Sequence, residues 1–360
     1  MPVTVQKVNN SVSWDKKLGE FNGSLFMSGS WLNAVSSRER IPIFFSFILD
    51  GETVALVGGL EVLYGKRPGK FLFFYSGIAS QRNNEVVYRE CKMALHDYAV
   101  DNGFYRVIFK SYDYTGYIPA GLDQFNQYRR KEYYINLAGD QQAIVKGFAP
   151  DVRRRARKAA REGVGFGTSC SKEVLYKLFE LLDSTKKTRE IKGYGSYRSV
   201  GMPFLDRNVC EKLLESKHAR MFYAKDKNGR IIGAQLFIDH MGKAYGILMG
   251  ISSEGYRKSV PSLLLYEGTM SLKSDNYDYY NIGALPAGKK NSGLKRFKES
   301  LGAVMIESSE EATDFILPSL TYLNPLMKFK RFLFRIRIPW RLKKLFLMAT
   351  DTIIRGRDHY

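Results

Sequence analysis

In the second half of the chain, apolar positions first recur at helical spacing and then switch to strand runs. Val174, Leu175, Leu178, Phe179 and Leu182 predict one helix. Leu205, Val209, Leu213 and Leu214 predict a shorter one, with Pro203 near its start. Apolar runs at 219–225, 230–239 and 244–251 read as three consecutive strands, turned at Asn228-Gly229 and Met241-Gly242. Pro261-Ser-Leu-Leu-Leu-Tyr266 opens a further helix. Residues 277–282 read as a strand, 294–301 as a helix and 303–307 as a last strand.

The first half has similar punctuation. A helix around 30–35 precedes strands at 43–49 and 53–63, turned at Asp50-Gly51. A strand at 71–78, a helix at 85–100, a strand at 105–110 and a closing strand at 128–137 follow. The halves share an order of elements without a detectable sequence repeat. That order predicts an α+β protein of two related units with mixed, mainly antiparallel sheets, and not a doubly wound parallel sheet. The expected domains are residues 1–150 and 151–315, followed by a basic amphipathic helical tail over 316–360.

Charge narrows the partners. Lysine and arginine number 56 against 36 acidic residues, a net charge of +20, which predicts nucleic acid, an acidic membrane surface or a phosphate-bearing substrate. Arg153-Arg-Arg-Ala-Arg157-Lys158, with Arg161 one turn on, reads as a basic helix between the halves. Gly163 stands just past its end, before a strand at 164–166. In the tail, Asn324-Pro325 starts a helix with Leu326, Phe329, Leu333 and Ile336 on one side and Lys328, Arg331 and Arg335 on another. After Pro339, Trp340, Leu345, Phe346 and Met348 alternate with Arg341, Lys343 and Lys344. Residues 324–348 therefore suit docking on an anionic membrane. Cys91, Cys170 and Cys210 are odd in number and far apart, which fits a reducing compartment. The first ten residues lack a signal-like apolar stretch, and no uncharged apolar run reaches the roughly 18 residues that span a bilayer. The expectation is a cytoplasmic protein, peripheral at the inner face of the cell membrane.

Several chemistries drop out. Gly283-Ala-Leu-Pro-Ala-Gly288-Lys289 nearly spells a phosphate loop, but Lys290 stands where the magnesium-binding Ser or Thr belongs. His96, His218, His240 and His359 show no metal-ligand spacing with the cysteines, so no metal is expected. Cys91 and Cys210 lie in helical patterns, as core cysteines do.

The order helix, helix, three-strand meander, helix, strand, helix, strand resembles the GCN5-related N-acyltransferase (GNAT) fold. Local wording is closer to its Fem-type (FemABX-like) branch, which builds peptide bridges on cell-wall precursors. The resemblant pieces are Phe26-Met-Ser-Gly-Ser-Trp31, Arg153…Lys158…Gly163-Val164 and Thr188-Arg189. Two more are Arg257…Pro261-Ser-Leu-Leu264 and Gly293-Leu-Lys-Arg-Phe297-Lys298-Glu-Ser-Leu-Gly302. One departure is Val35-Ser36, where the Fem pattern often has lysine after the tryptophan.

The resemblance implies two tandem GNAT-like domains, with the acyl group entering between splayed strands at 244–251 and 277–282. It implies Lys298, next to Phe297, as the catalytic cation near the transferring carbonyl. Arg189, Tyr194 and Tyr197 would hold the acceptor, an amine of a peptidoglycan or glycan precursor. Tyr256 and Arg257 would lie at the donor mouth. Coenzyme A users of this fold carry a glycine-rich turn there, but this chain has Arg257-Lys-Ser-Val-Pro261, where Pro261 offers no amide. The implied co-substrate is aminoacyl-tRNA or acyl-CoA, with no permanently bound cofactor. The alternatives are a CoA-dependent N-acyltransferase acting on an amino sugar, and a non-catalytic membrane-tethered binding module.

Overall fold

Asp50 and Gly51 take positive φ values of 51° and 82°, and this tight turn pairs β2 (Arg40–Leu49) antiparallel with β3 (Glu52–Leu63). The hairpin belongs to a computed structural model of the chain that describes residues 2–9, 11–63, 69–81, 84–116, 122–191, 200–285 and 292–335. The described chain divides into two compact units. Unit 1 holds Met1–Leu32, Ser36–Arg129 and the residues from Ser309 on. Unit 2 holds Arg130–Ser308 with Asn33–Val35. Residues 130–150, expected with the first half, thus cluster with unit 2.

Unit 1 is a mixed sheet. β1 (Thr4–Lys7) lies antiparallel on β2, and β4 (Lys70–Phe74) lies antiparallel on β3. α3 (Glu85–Asp101) then crosses to β6 (Val107–Phe109), which runs parallel to β4. A short β5 (Ala79–Ser80) also pairs with β3. The sequence left α1 (Ser11–Glu20) unread, and it placed α2 (Gly29–Val35) almost to the residue. The strand expected over 71–78 stops at Phe74. Beyond it the chain passes under Tyr114, so closely that a Cβ on Gly77 would sit 2.6 Å from that ring.

Unit 2 begins with α4 (Gln141–Gly147) and α5 (Pro150–Arg161), followed by β8 (Gly165–Ser169). α6 (Lys172–Ile191) and α7 (Arg207–Glu215) lead into the meander β9 (Ala219–Lys225), β10 (Ile231–His240) and β11 (Lys243–Ile251). Then come α8 (Ser253–Arg257), α9 (Val260–Ser274), β12 (Tyr279–Ala284) and α10 (Ser292–Ser300). Asp206 caps α7 by accepting from Val209 N, so Pro203 lies ahead of the cap and not in the first turn. α5 shows Val152, Ala156 and Ala159 to the core, and these small side chains let it pack on α9. Phe222 and Phe237 stack at 4.4 Å in the same core.

The closing strands differ from the expectation. β7 (Phe125–Asn136) does not close the first half. Its second part pairs antiparallel with β12 in unit 2, from Tyr279↔Asn136 to Ala284↔Glu132. In unit 1, β6 is flanked by β13 (Val304–Thr313), through Glu311↔Phe109 and Ala312↔Ile108.

That exchange places a buried ion pair in unit 1. The Lys92 ammonium meets the Glu311 carboxylate, which also accepts from Gln127 Nε2 at 2.8 Å. Lys92 Nζ lies 4.0 Å from the centre of the Phe109 ring, and burial pulls its pKa well below the ordinary lysine value. Removing one partner strands a charge in a dry core. Glu311→Ala is expected to cost about 3–5 kcal/mol, read from denaturant midpoints. The double replacement Lys92→Met/Glu311→Leu is expected to recover most of that loss.

Candidate active site

β11 and β12 run parallel for three residue pairs, Lys243↔Tyr279, Ala244↔Tyr280 and Tyr245↔Asn281, and then separate. β11 stays with β10, where the register slips between Leu236 and Phe237 and leaves Ile247 as a bulged residue. β12 stays with β7. The opening therefore starts at Gly246 on one strand and Ile282 on the other. Gly283 takes φ +84°, and a Cβ on it would lie 3.5 Å from Gly246 O and 4.0 Å from Lys298 Nζ. Gly283 thus brings no side chain to the opening, and Gly246 leaves room for the Gln235 amide, whose Nε2 a Cβ there would meet at 2.6 Å.

Lys298 reaches this opening from α10. It is buried, and its ammonium donates to Ile282 O and, at 2.9 Å, to Gly283 O. The third N–H has no acceptor among the described residues, and the nearest ring is Tyr133, at 5.7 Å. Burial pulls the Lys298 pKa down to about 8, with the Glu132 carboxylate opposing the shift and the Arg130 guanidinium adding to it.

Glu132 was not singled out from the sequence. It is buried on β7, and its Oε1 accepts from Tyr245 Oη at 2.6 Å and from Arg130 Nε and Nη2 at 2.8 and 2.6 Å. Its Oε2 accepts from Asn281 Nδ2 at 2.9 Å. Asn281 Oδ1 in turn accepts from Gly283 N at 2.9 Å. A hydrogen-bonded chain thus runs from Arg130 through Glu132 and Asn281 to the glycine whose carbonyl holds Lys298.

The other candidates are placed as follows. Phe297 is half-buried against the unit 2 core beside Lys298. Tyr256 and Arg257 are both exposed on α8. Arg189 is helical because α6 continues to Ile191; its side chain lies outside the described residues. Tyr194 and Tyr197 lie outside the described residues, as do Gly288 and Lys289 of the near-phosphate loop. Cys91 and Cys210 are buried, and burial pushes both thiols up to about 12, which removes them as nucleophiles. Among the described residues no group of three His, Cys, Asp or Glu could hold a metal ion. No described helix is long and apolar enough to cross a membrane.

The turn between β11 and α9 is closed. Gly255 N donates to Ser252 Oγ and Tyr256 N to Ser252 O, at 2.9 and 3.0 Å. Lys258 N, Ser259 N, Ser262 N and Leu263 N donate to Glu254, Tyr256 and Ser259 carbonyls. Glu254 also pairs with Arg230 at 3.1 Å and Lys258 at 2.9 Å, which puts a carboxylate on this turn. These amides are committed to α8 and the first turn of α9.

Comparison with known proteins agrees with this geometry. The family model for the Acetyltransferase (GNAT) domain matches residues 147–299. No curated protein sequence matches the chain. Among solved structures, FemX superposes with a TM-score of 0.67 at 14% identity, covering 88% of this chain and 99% of that one. A conserved protein of unknown function from Bacteroides thetaiotaomicron gives 0.51 at 12% identity, over 86% of this chain and 99% of that one. The L-PGS structure from Bacillus licheniformis gives 0.49 at 19%, over 86% and 95%. Residues 147–299, which contain the splayed strands, thus match a GNAT acetyltransferase domain, and the chain shares the fold of FemX.

Proposed function

We propose that this enzyme transfers an aminoacyl group from aminoacyl-tRNA to an amine of a cell-envelope precursor at the cytoplasmic face of the membrane. The observation that carries the reading is the buried Lys298 ammonium at the opening between β11 and β12, with one N–H uncommitted among the described residues. In the reaction the acceptor nitrogen bonds to the acyl carbon and the ester C–O bond breaks. The proton lost by the amine ends on the departing hydroxyl. Negative charge grows on the carbonyl oxygen in between, and an ammonium held in a dry opening stabilises it there more than in the ground state. The closed turn at α8 supports an ester donor over acyl-CoA, because amides already bonded within the chain suit a pyrophosphate poorly. The match to an acetyltransferase family favours acyl-CoA instead, and makes a CoA-dependent N-acyltransferase the second reading. Arg189, Tyr194 and Tyr197 are the groups proposed to hold the acceptor.

Charged tRNAs and acyl-CoAs offered in parallel with cell-envelope precursors, followed by mass spectrometry of the acceptors, separate the two donors. Transfer is expected from the charged tRNA; transfer from acyl-CoA alone selects the second reading. Lys298→Ala is expected to lower kcat about 10²–10³-fold, the range for one oxyanion donor, while shifting the melting temperature little. Equal loss of activity and stability would make the lysine structural.

The pH dependence follows from the depressed pKa. The ammonium is present below about pH 8 and is lost above it, so activity is expected to fall as pH rises through that value. Glu132→Gln removes the carboxylate that favours the charged form, so the fall should move to lower pH. An unchanged profile in Glu132→Gln would disconnect the two residues.

α11 (Asn324–Arg335) is the proposed membrane contact. Asn324 fixes its start by bonding Phe315 N and O at 2.8 and 2.9 Å, and Met327 turns inward. Lys328 is exposed, and Phe329 and Phe332 are 43% and 55% exposed. The side chains of Arg331, Leu333 and Arg335 and all of residues 336–360, with Ile336, Trp340 and the rest of the expected tail, lie outside the described residues. Reversing the charge at Lys328, Arg331 and Arg335 is expected to weaken binding to anionic vesicles in a salt-sensitive way. Full-length protein that ignores such vesicles at low salt overturns the assignment.

A further inference from the structure

α5 carries six basic residues in twelve, and their pairing divides them into two sets. Arg154 and Arg155 both bind Asp151, at 2.6 and 2.8 Å, and Lys158 lies 3.6 Å from Glu162. Arg153, Arg157 and Arg161 have no anionic partner among the described residues, and the Nε of Arg153 is buried without an acceptor there. These three stand at i, i+4 and i+8, so they form one row along the helix, about 6 Å per step and roughly 12 Å in all. Together with Pro150, Arg154 and Ala160 they line a shallow groove of about 740 Å³.

The row has a defined place relative to Lys298. Ala149 N, at the start of α5, donates to Ser300 O at the end of α10, at 2.8 Å. The approach is close: Gly302 takes φ +73°, and a Cβ there would lie 2.8 Å from Gly147 O. α5 therefore starts against the helix that holds Lys298, and α10 adds the exposed Arg296 on its own surface.

We propose that the Arg153–Arg157–Arg161 row binds the phosphodiester backbone of a folded RNA. The inference rests on the RNA-borne donor proposed above and names the surface that would take the body of that donor. Its chemistry favours RNA over a membrane. Five of the six bases on α5 are arginines, whose planar forks grip phosphate oxygens in pairs, and the exposed face has no large apolar anchor. α11 is the reverse, with lysine flanked by exposed phenylalanines. Bidentate bonds spaced by one helical turn fit successive phosphates, and phosphate contacts position a nucleic acid without reading its sequence.

The test measures binding of a fluorescent, uncharged RNA hairpin to the full-length protein by anisotropy across a salt series. The row variant Arg157→Gln/Arg161→Gln is compared with Arg155→Gln/Lys158→Gln, which removes the same charge from residues paired to Asp151 and Glu162 and outside the groove lining. The row variant should weaken binding about tenfold and lower the slope of log affinity against log salt by about 2, one for each phosphate that is no longer neutralised. The paired-residue variant should change both much less. Melting curves of the variants show whether α5 remains folded. Equal losses in the two variants mean binding by net charge alone and overturn the proposal. So does a row variant that binds RNA normally, or one that loses anionic-vesicle binding and not RNA binding. Acyl transfer is assayed separately. RNA binding through the row without transfer from charged tRNA overturns the donor and keeps the row; transfer unaffected by the row variant does the opposite.

Discussion

A carboxylate removed from water must be met by donors on both oxygens, and in unit 2 Glu132 is met by Arg130, Tyr245 and Asn281. Two donors come from the strands bordering the opening and one from β7, which pairs with β12. Arg130 and Glu132 lie on β7, Tyr245 ends the paired part of β11, and Asn281 ends the paired part of β12. The same bonds that satisfy the charge therefore fix where the two strands part. Asn281 extends the constraint to Gly283, whose carbonyl orients Lys298. The site depends on one buried negative charge that keeps a buried positive charge available nearby.

That dependence explains why Lys298 can be both buried and ionised near neutrality. An isolated ammonium at this depth would lose its proton; the Glu132 field opposes that loss, and the two carbonyls solvate what remains. Arg130 limits the effect by compensating part of the Glu132 charge. The balance leaves a cation that no direct salt bridge quenches among the described residues.

The elements of unit 2 are legible in the sequence because its turns are chemically explicit. Asn228-Gly229 and Met241-Gly242 force their hairpins, with Gly229 and Gly242 at φ +80° and +76°. Lys298 is legible only through the Phe-Lys resemblance, since the spacing of Lys295, Arg296 and Lys298 alone describes a wet helix face. Glu132 is hidden for a physical reason. Within Arg129-Arg-Lys-Glu132 a buried carboxylate looks like one more surface charge. Its burial comes from β7 joining the sheet of unit 2, a non-local pairing that no local pattern encodes. Lys92 and Glu311 escape for the same cause, because Glu311 reaches unit 1 through β13 from the far end of the chain. The polar stretch around Arg189 has the composition of a loop, yet α6 runs on through Ile191 with charged side chains, which helices tolerate well.

The closed turn at α8 and the open arginine row on α5 bear on the same physical problem. A donor must be held long enough for its acyl group to enter the opening, and in this fold a coenzyme is held by free amides at the turn before α9. Here the Gly255, Tyr256, Lys258, Ser259, Ser262 and Leu263 amides bond within the chain. The donor proposed here would be retained through another part, at a distance from the acyl group. The uncommitted cations of unit 2 that offer such retention stand on α5, which starts where α10 ends. A row of guanidiniums about 12 Å long suits a phosphodiester backbone, one phosphate per turn of helix. The division fits a donor gripped by its backbone while its reactive end, with no binding energy of its own to spare, is left to Lys298.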